Sequence, residues 1–246
     1  MRIKELTLHG VNLEELRRFY CAVLGLREVE PYWTGRLTVQ AGDTQLSFLP
    51  APQGTRPRYH FAFDVPPNRL EEAVAWLRER GGLIASPEGE TRFHSDTWNA
   101  DNVYFGDPQG NILELIARHT VPVEAAAARN LADEDVRRLV GRSFSAAEIV
   151  AVTEIGIATD TVVDTVGALI ERMPSLSVYS GEDSDSFTAV GDVYGLFIVV
   201  RRGRIWFPNT GVPAEFIPVD ALVELENGAR YRLSAPPYPF SILPTV

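Results

Sequence analysis

Two stretches in the first half of the chain decide its architecture: Arg58-Tyr-His-Phe-Ala-Phe-Asp-Val65 and Tyr104-Phe-Gly-Asp-Pro-Gln-Gly-Asn-Ile-Leu-Glu-Leu115. Each predicts an apolar β-strand with one metal-ligating side chain, His60 in the first and Glu114 in the second. An imidazole and a carboxylate are two thirds of a common divalent-metal site. A carboxylate in an apolar strand is also costly to bury unless it is paired or metal-bound. The stretches therefore predict a metal site; a structural hydrogen bond for His60 and a solvated face for Glu114 are the alternatives.

The composition excludes several classes of protein. With 246 residues, 45% of them hydrophobic, the chain can form one large domain or two of about 120 residues. Its net charge of -10 is spread along the chain, which argues against nucleic acid as a partner. The polar N-terminus and the absence of any run of about 18 apolar residues argue against a signal peptide and a membrane span. The single cysteine, Cys21, is typical of a reducing cytoplasm, where we expect the protein to reside.

A strand–helix–strands pattern surrounds the two stretches and then repeats along the chain. In the second unit, Asn68 is the expected N-cap of a helix that ends at Gly81-Gly82; in the first unit, Asn12 has the same role. The expected strands of these two units are 2–9, 36–40, 45–49, 59–63, 91–94, 102–106 and 111–117. Turn residues from Asp107 to Asn111 join the last two as a hairpin.

A third unit follows a linker. Residues 119–149 are charged and Ala-rich with no strand pattern, which predicts helical pieces, and Ser145 with Glu148 forms a capping box. Thr161 then follows Glu154 at the spacing by which Asn12 follows Glu5. The expected later strands are 176–180, 186–190, 196–201, 216–225 and 230–233. The sequence therefore predicts an α+β fold with paired modules over 1–118, a linker over 119–149, and a third module with a truncated fourth over 150–246.

These residues resemble the vicinal oxygen chelate superfamily, which includes glyoxalase I, type I extradiol dioxygenases and bleomycin resistance proteins. The matching motifs are Phe19-Tyr20 with Leu24-Gly25-Leu26, His60, and Asp107-Pro-Gln-Gly-Asn with Glu114. The match is good over 1–118 and fair over 150–202. It implies βαβββ modules that pair into cupped mixed sheets, with metal ligands on the first and last strands of each module.

The resemblance also implies a ligand set. Carried over position by position, it gives Glu5, His60 and Glu114 as metal ligands, with Ser47, a poor ligand, at the fourth position. His9 is the alternative to Glu5 on the first strand. At about 3.3 Å per residue the two lie about 13 Å apart, so only one can touch a given ion. If Glu5 is the ligand, His9 is a candidate proton carrier or substrate contact.

Two further residues bear on the site. Tyr104 stands at an offset from Glu114 where related dioxygenases carry a substrate-binding tyrosine, although core packing explains it equally well. Glu154 repeats the position of Glu5, but no partner ligand follows it in the fourth unit. The second half is therefore expected to hold no metal and to be structural or to close the pocket.

The resemblance implies a metal-dependent enzyme, dioxygenase-like or glyoxalase-like, that acts on a small molecule with two adjacent oxygens. Fe, Mn, Ni and Zn all suit one nitrogen and two carboxylate ligands. The alternative is a non-catalytic protein of the bleomycin-resistance type that sequesters a small molecule. Pairing of modules within one chain or between the chains of a homodimer stays open.

Overall fold

Two mixed β-sheets and three helices make up the fold of the computed structural model, which describes residues 1–30, 35–121, 143–181, 184–235 and 241–245. The helices are α1 (Leu13–Arg17, continued as a wider π turn over Arg18–Val23), α2 (Leu70–Arg78) and α3 (Val162–Arg172). Each helix follows the first strand of its module. The α+β class predicted from the sequence is confirmed.

The first two modules contribute eight strands. They are β1 (Arg2–Gly10), β2 (Arg27–Glu30), β3 (Leu37–Ala41), β4 (Thr44–Pro50), β5 (His60–Asp64), β6 (Phe93–Ser95), β7 (Ala100–Gly106) and β8 (Ile112–Arg118). The first module comprises β1–β4 and α1, and the second comprises β5–β8 and α2. The sequence predicted all of these strands except β2.

The later modules contribute seven strands. They are β9 (Ala151–Thr159), β10 (Val178–Ser180), β11 (Phe187–Asp192), β12 (Gly195–Arg201), β13 (Val219–Glu224), β14 (Arg230–Ala235) and β15 (Ser241–Thr245). The third module comprises β9–β12 and α3. The fourth comprises β13–β15, and residues 202–218 before it hold no helix, as the truncated pattern predicted.

The modules pair differently from the expected order. One sheet runs β15-β14-β13-β1-β4-β3-β2 and joins the first module to the fourth; the other runs β10-β11-β12-β9-β5-β8-β7-β6 and joins the second to the third. Every residue of β5 and nearly every residue of β9 is buried, whereas β1 and β13 alternate buried and part-exposed residues. Strands that are buried on both faces thus meet in one sheet centre, and half-exposed strands meet in the other.

One hydrophobic core connects the sheets and helices. It includes Leu6 of β1, Phe63 of β5 and Ile155 of β9, which are all fully buried. Thr44 fixes the junction, because its hydroxyl accepts the backbone N–H of Val152 at 3.0 Å. The sheet that contains β5 and β9 is therefore held rigidly against the other.

Two helix predictions have definite outcomes. The capping box of Ser145 and Glu148 is confirmed. The predicted cap at Asn68 is wrong, because Pro67–Arg69 forms a 3-10 turn and α2 begins only at Leu70, with no side-chain cap. The predicted helical pieces of the linker lie largely outside the described residues.

Candidate metal centre and pocket

Three buried side chains converge on one face of the sheet that contains β5, β8 and β9. One ligand atom from each of His60, Glu114 and Glu154 lies within 4.8 Å of the other two. The three strands are neighbours in the order β9-β5-β8. Ala62 of β5 stands opposite Glu114 on one side and opposite Glu154 on the other. Its methyl group leaves space between the two carboxylates.

The local structure fixes the tautomer of His60. Its Nδ1 lies 3.2 Å from the carbonyl oxygen of Ile112, which can only accept, so Nδ1 carries the proton. The lone pair then belongs to Nε2, which lies 3.6 Å from Oε2 of Glu114. Burial lowers the pKa of His60 to about 4, so the imidazole is neutral near pH 7. A neutral, oriented imidazole is the form that binds a metal.

The acid Glu114 is held from the neighbouring strand. Asn102 donates its amide to Oε1 of Glu114 at 2.8 Å and to the hydroxyl of Tyr104 at 3.1 Å. Burial raises the pKa of Glu114 well above its usual range, and the charge of Glu154 adds to this shift. Glu114 therefore gives up its proton readily only when a cation is close.

A buried arginine contacts the second acid. Arg118, fully buried at the end of β8, forms ion pairs with Glu154 and, at 3.4 Å, with Asp64. It also donates to the hydroxyl of Thr153 at 3.1 Å. Arg118 thus brings a single positive charge to the three carboxylates that act on it, those of Glu154, Asp64 and Glu114.

These residues fit a divalent metal ion. The donor set is one neutral imidazole nitrogen and two carboxylates, which suits Mn, Fe, Ni or Zn. After Arg118 is counted, the carboxylates retain negative charge that a divalent cation would balance. Hydrogen bonds also orient two of the ligands, because the carbonyl of Ile112 accepts from His60 and Asn102 donates to Glu114.

Aromatic side chains form the walls of the pocket above this cluster. The cavity has a volume of about 250 Å³. Trp206 stacks on His60 with ring centroids 4.9 Å apart, and Phe207 lies 5.3 Å from Tyr104. Both Trp206 and Phe207 come from residues 202–214, a segment after β12 that we call the β12–β13 loop. The loop that follows the third module thus contributes a wall of the pocket, and β9 of that module contributes Glu154.

The structure brings together some of the residues predicted from the sequence and separates others. His60, Glu114 and Tyr104 line one pocket. Glu5 lies in the other sheet, where its carboxylate pairs with Arg232 at 2.7 Å. Glu5 is absent from the cluster because β1 pairs with β13 and β4, whereas β9 pairs with β5.

Two other expected positions also lie in the first sheet. His9 is on β1 and outside the residues that line the pocket, and its backbone N–H donates to the hydroxyl of Tyr59 at 3.1 Å. Ser47 on β4 accepts from Arg36 at 2.7 Å and contacts the hydroxyl of Thr38 at 3.0 Å. Neither residue belongs to the cluster of His60, Glu114 and Glu154.

Sequence reasoning missed three residues of the site: Glu154 as a member, Arg118 and Trp206. Glu154 had a usable signal, because it is a carboxylate within an apolar strand, as Glu114 is. Arg118 stands four residues after Glu114 and so shares its strand face. Trp206 lies in a loop, where no periodic pattern could have indicated it.

Comparison with known proteins agrees with this architecture. Residues 5–116 match the family model of the glyoxalase-like domain. A "putative dioxygenase" from Bacillus subtilis subsp. subtilis str. 168 aligns over 95% of this chain and 81% of its own, with a TM-score of 0.59 and 15% identity. At that identity the likeness shows a shared fold.

Shorter solved structures match about half of the chain. A glyoxalase/dioxygenase from Nostoc punctiforme is 21% identical and covers 48% of this chain and 90% of its own, with a TM-score of 0.38. A lactoylglutathione lyase from Agrobacterium tumefaciens is 22% identical and covers 47% and 92%, with a TM-score of 0.37. No curated protein matches the chain.

The fold is shared with a solved structure along nearly the whole chain, and the family match falls on the first two modules. Residues 5–116, a little under half of the chain, match the glyoxalase-like domain family, and the resemblance to the vicinal oxygen chelate superfamily is confirmed. Among the residues that the structure describes, no helix has the length and apolar character to cross a membrane.

Proposed function

We propose that the protein is a divalent-metal-dependent enzyme that acts on a small molecule with two adjacent oxygens. The observation that carries the proposal is the convergence of His60, Glu114 and Glu154 within 4.8 Å below an aromatic pocket. These three side chains would hold the ion, with Glu154 in the role that the resemblance implied for Glu5. Three protein ligands leave coordination positions open for substrate or water.

The metal, when bound, supplies a Lewis acid that polarises substrate oxygens and stabilises negative charge that develops on them. The protein supplies orientation. His60 is held by the carbonyl of Ile112, and Glu114 is held by Asn102. Burial raises the pKa of Tyr104 well above its usual range, so its hydroxyl keeps its proton and can donate to a substrate oxygen. We assign His9 no part in this chemistry.

Two contacts favour a second candidate function. Arg118 already forms an ion pair with Glu154, and Asn102 already donates to Glu114, so the acids have partners without any metal. A pocket whose acids already have protein partners suits a non-catalytic protein that binds and sequesters a small molecule. The two candidates differ in whether a divalent ion binds tightly.

The test compares two glutamate variants that remove the same charge from equivalent positions of two modules. Wild-type protein reconstituted with Mn²⁺ or Zn²⁺ is expected to hold about one equivalent by elemental analysis after desalting. Glu154→Gln is expected to lower metal affinity at least about tenfold. Glu5→Gln should retain the wild-type affinity, because Glu5 is in the other sheet.

A metal content below about a tenth of an equivalent in the wild type would reject the enzyme proposal and leave the binding protein. Equal losses in the two variants would show that the ion is not held where we place it. Melting curves with and without metal report binding independently of activity, because an ion that binds only the folded chain raises Tm.

A further inference from the structure

The pocket above the metal cluster is built around planar rings. Phe93 lies 5.7 Å from Tyr104 and 4.8 Å from Phe207, centroid to centroid, in edge-to-face geometry. Trp206 stacks on His60 at 4.9 Å with an interplanar angle of 35°. Aromatic pairs at these separations hold one another in fixed orientations. The walls therefore favour a flat apolar ligand that can stack.

The volume of the pocket limits the ligand to a small molecule. The cavity measures about 250 Å³. For comparison, an engineered apolar cavity of about 150 Å³ binds benzene, and pockets for drug-sized molecules begin near 300 Å³. A single ring with a few substituents matches this space, and a fused polycyclic compound exceeds it.

One cationic side chain faces this space without an acidic partner. Arg204 is the one Lys or Arg among the described residues that line the pocket. Its guanidinium lies 5.2 Å from the ring centroid of Phe187, also a lining residue. No carboxylate pairs with Arg204 among the residues that the structure describes, whereas Arg202 nearby pairs with Asp160 at 3.0 Å. A solvated guanidinium at a pocket is available for bidentate binding of a carboxylate.

Backbone hydrogen bonds fix the β12–β13 loop, which carries Arg204 and Trp206. Within the β12–β13 loop, Ala214 donates to Arg204 at 2.8 Å, and Trp206 donates to Val212 at 3.0 Å. Gly203 donates to Ala214 at 2.7 Å. The loop is thus closed by its own ladder of hydrogen bonds, so the backbone that carries Arg204 and Trp206 is fixed before any ligand arrives.

We infer that the pocket selects a single-ring aromatic acid, whose ring stacks between the aromatic walls and whose carboxylate binds Arg204. This inference builds on the proposed function, because it names the substrate class of the same site. It makes Arg204 a specificity-determining residue contributed by the second half of the chain.

The test uses three probes that separate ring from charge: benzoate, its neutral counterpart benzamide, and the non-aromatic cyclohexanecarboxylate. Binding to the full chain is measured by calorimetry or ligand-observed NMR, with EDTA and again with Mn²⁺. We expect benzoate to bind at least about tenfold more tightly than benzamide, and more tightly than cyclohexanecarboxylate. Arg204→Gln should reduce benzoate binding to the benzamide level without changing benzamide binding.

Arg202→Gln is the matched control, since Arg202 is a neighbouring exposed arginine outside the pocket lining, and its benzoate preference should stay intact. Equal binding of benzoate and benzamide in both metal conditions would overturn the inference. So would an unchanged preference in folded Arg204→Gln, with folding checked by Tm.

The outcome separates this inference from the proposed function. A benzoate preference that depends on Arg204 supports the inference even if no metal is retained, in which case only the enzyme proposal fails. Retention of one metal equivalent without any benzoate preference supports the enzyme proposal and rejects the aromatic acid.

Discussion

Arg118 occupies an unusual place for an arginine, because it is fully buried between two acidic side chains. Its ion pairs with Glu154 and Asp64 and its bond to Thr153 offset the cost of removing the guanidinium from water. The acids in turn depend on Arg118 for neutralisation. Arg118 is therefore the residue whose loss most directly exposes the charge of the candidate metal centre.

Arg118→Met is expected to lower the free energy of unfolding by about 3–5 kcal/mol, because it leaves two buried carboxylates without their cation. Urea denaturation measures the loss. The control Arg230→Met removes an arginine of a half-exposed pair with Glu224 and should cost less than about 1 kcal/mol. Divalent metal should stabilise Arg118→Met more than it stabilises the wild type. A loss below about 1 kcal/mol in Arg118→Met would contradict this reading of the cluster.

Metal affinity should increase with pH. Burial and the charge of Glu154 raise the pKa of Glu114, so the carboxyl of the metal-free protein is protonated below that raised pKa. A bound metal requires the carboxylate and displaces the proton, so affinity falls as pH falls through the raised pKa. His60, with a pKa of about 4, stays neutral throughout and adds no slope.

Mn²⁺ titrations at several pH values above the pKa of His60 measure this dependence, with an expected limit of about tenfold in affinity per pH unit for one displaced proton. In Glu114→Gln the residual affinity should lose this dependence. An affinity that is independent of pH in the wild type would show that Glu114 is already ionised without metal.

At the scale of elements, β9 and the β12–β13 loop fit together at a glycine. A methyl group at Gly156 would lie 2.5 Å from Cη2 and 2.9 Å from Cζ2 of Trp206. Contacts this short require the indole to move. Gly156 therefore allows Trp206 to stack on His60, and β9 shapes the pocket wall in addition to supplying Glu154.

Gly156→Ala is expected to displace Trp206, lower the free energy of unfolding by about 1–3 kcal/mol, and weaken benzoate binding. Gly167→Ala is the matched control. Gly167 lies within α3, where a methyl group meets nothing within 4 Å, so this change should stabilise the protein by about 0.5–1 kcal/mol. Unchanged tryptophan fluorescence and benzoate affinity in Gly156→Ala would contradict the role given to the contact.

At the scale of the whole molecule, two of the motifs that suggested the family, those around Tyr20 and Asp107, contact each other outside the pocket. Tyr20, from the first module, donates its hydroxyl to Oδ2 of Asp107 at 2.9 Å, in the turn between β7 and β8. The side chain of Asn111 donates to the same oxygen at 2.6 Å. Gln109 of that turn accepts from the backbone of Val11 at 2.8 Å. These motif residues therefore join the two sheets.

Tyr20→Phe should lower the free energy of unfolding by about 1.5–3 kcal/mol, because the buried Asp107 loses a donor. Metal affinity should not change, since the bond lies outside the cluster. The control Tyr231→Phe alters a part-buried tyrosine of β14 and should stay within about 0.5 kcal/mol of the wild type. Chemical denaturation of both variants measures the difference, and a Tyr20→Phe protein as stable as Tyr231→Phe would refute the role assigned to the link.

The sequence predicted most of the elements, because period and turn residues are local properties. It also indicated His60 and Glu114, since each is a polar side chain in an apolar strand. The third candidate ligand, beside His60 and Glu114, could not be identified from local sequence patterns. Glu5 and Glu154 occupy equivalent positions in their modules, and the choice between them depends on whether β1 or β9 lies beside β5.

The arrangement of strands decides that choice. The fully buried pattern of β9 matches that of β5, and the alternating pattern of β1 matches that of β13. The pairing of the strands therefore matches the burial pattern along each whole strand, and no single motif indicates it. Loop residues such as Arg204 and Trp206 follow no period, so only three-dimensional structure brings them to the pocket.

The antiparallel junction of β5 with β9 also has a consequence for how such a chain can evolve. His60 and Glu114 are encoded before residues 119–149, and Glu154 and Trp206 are encoded after them. A recombination event that exchanges either half for that of a distant homologue replaces part of the cluster along with half of its sheet. Such a chimaera would carry an incomplete pocket, so the two halves have to come from the same protein for the cluster to form.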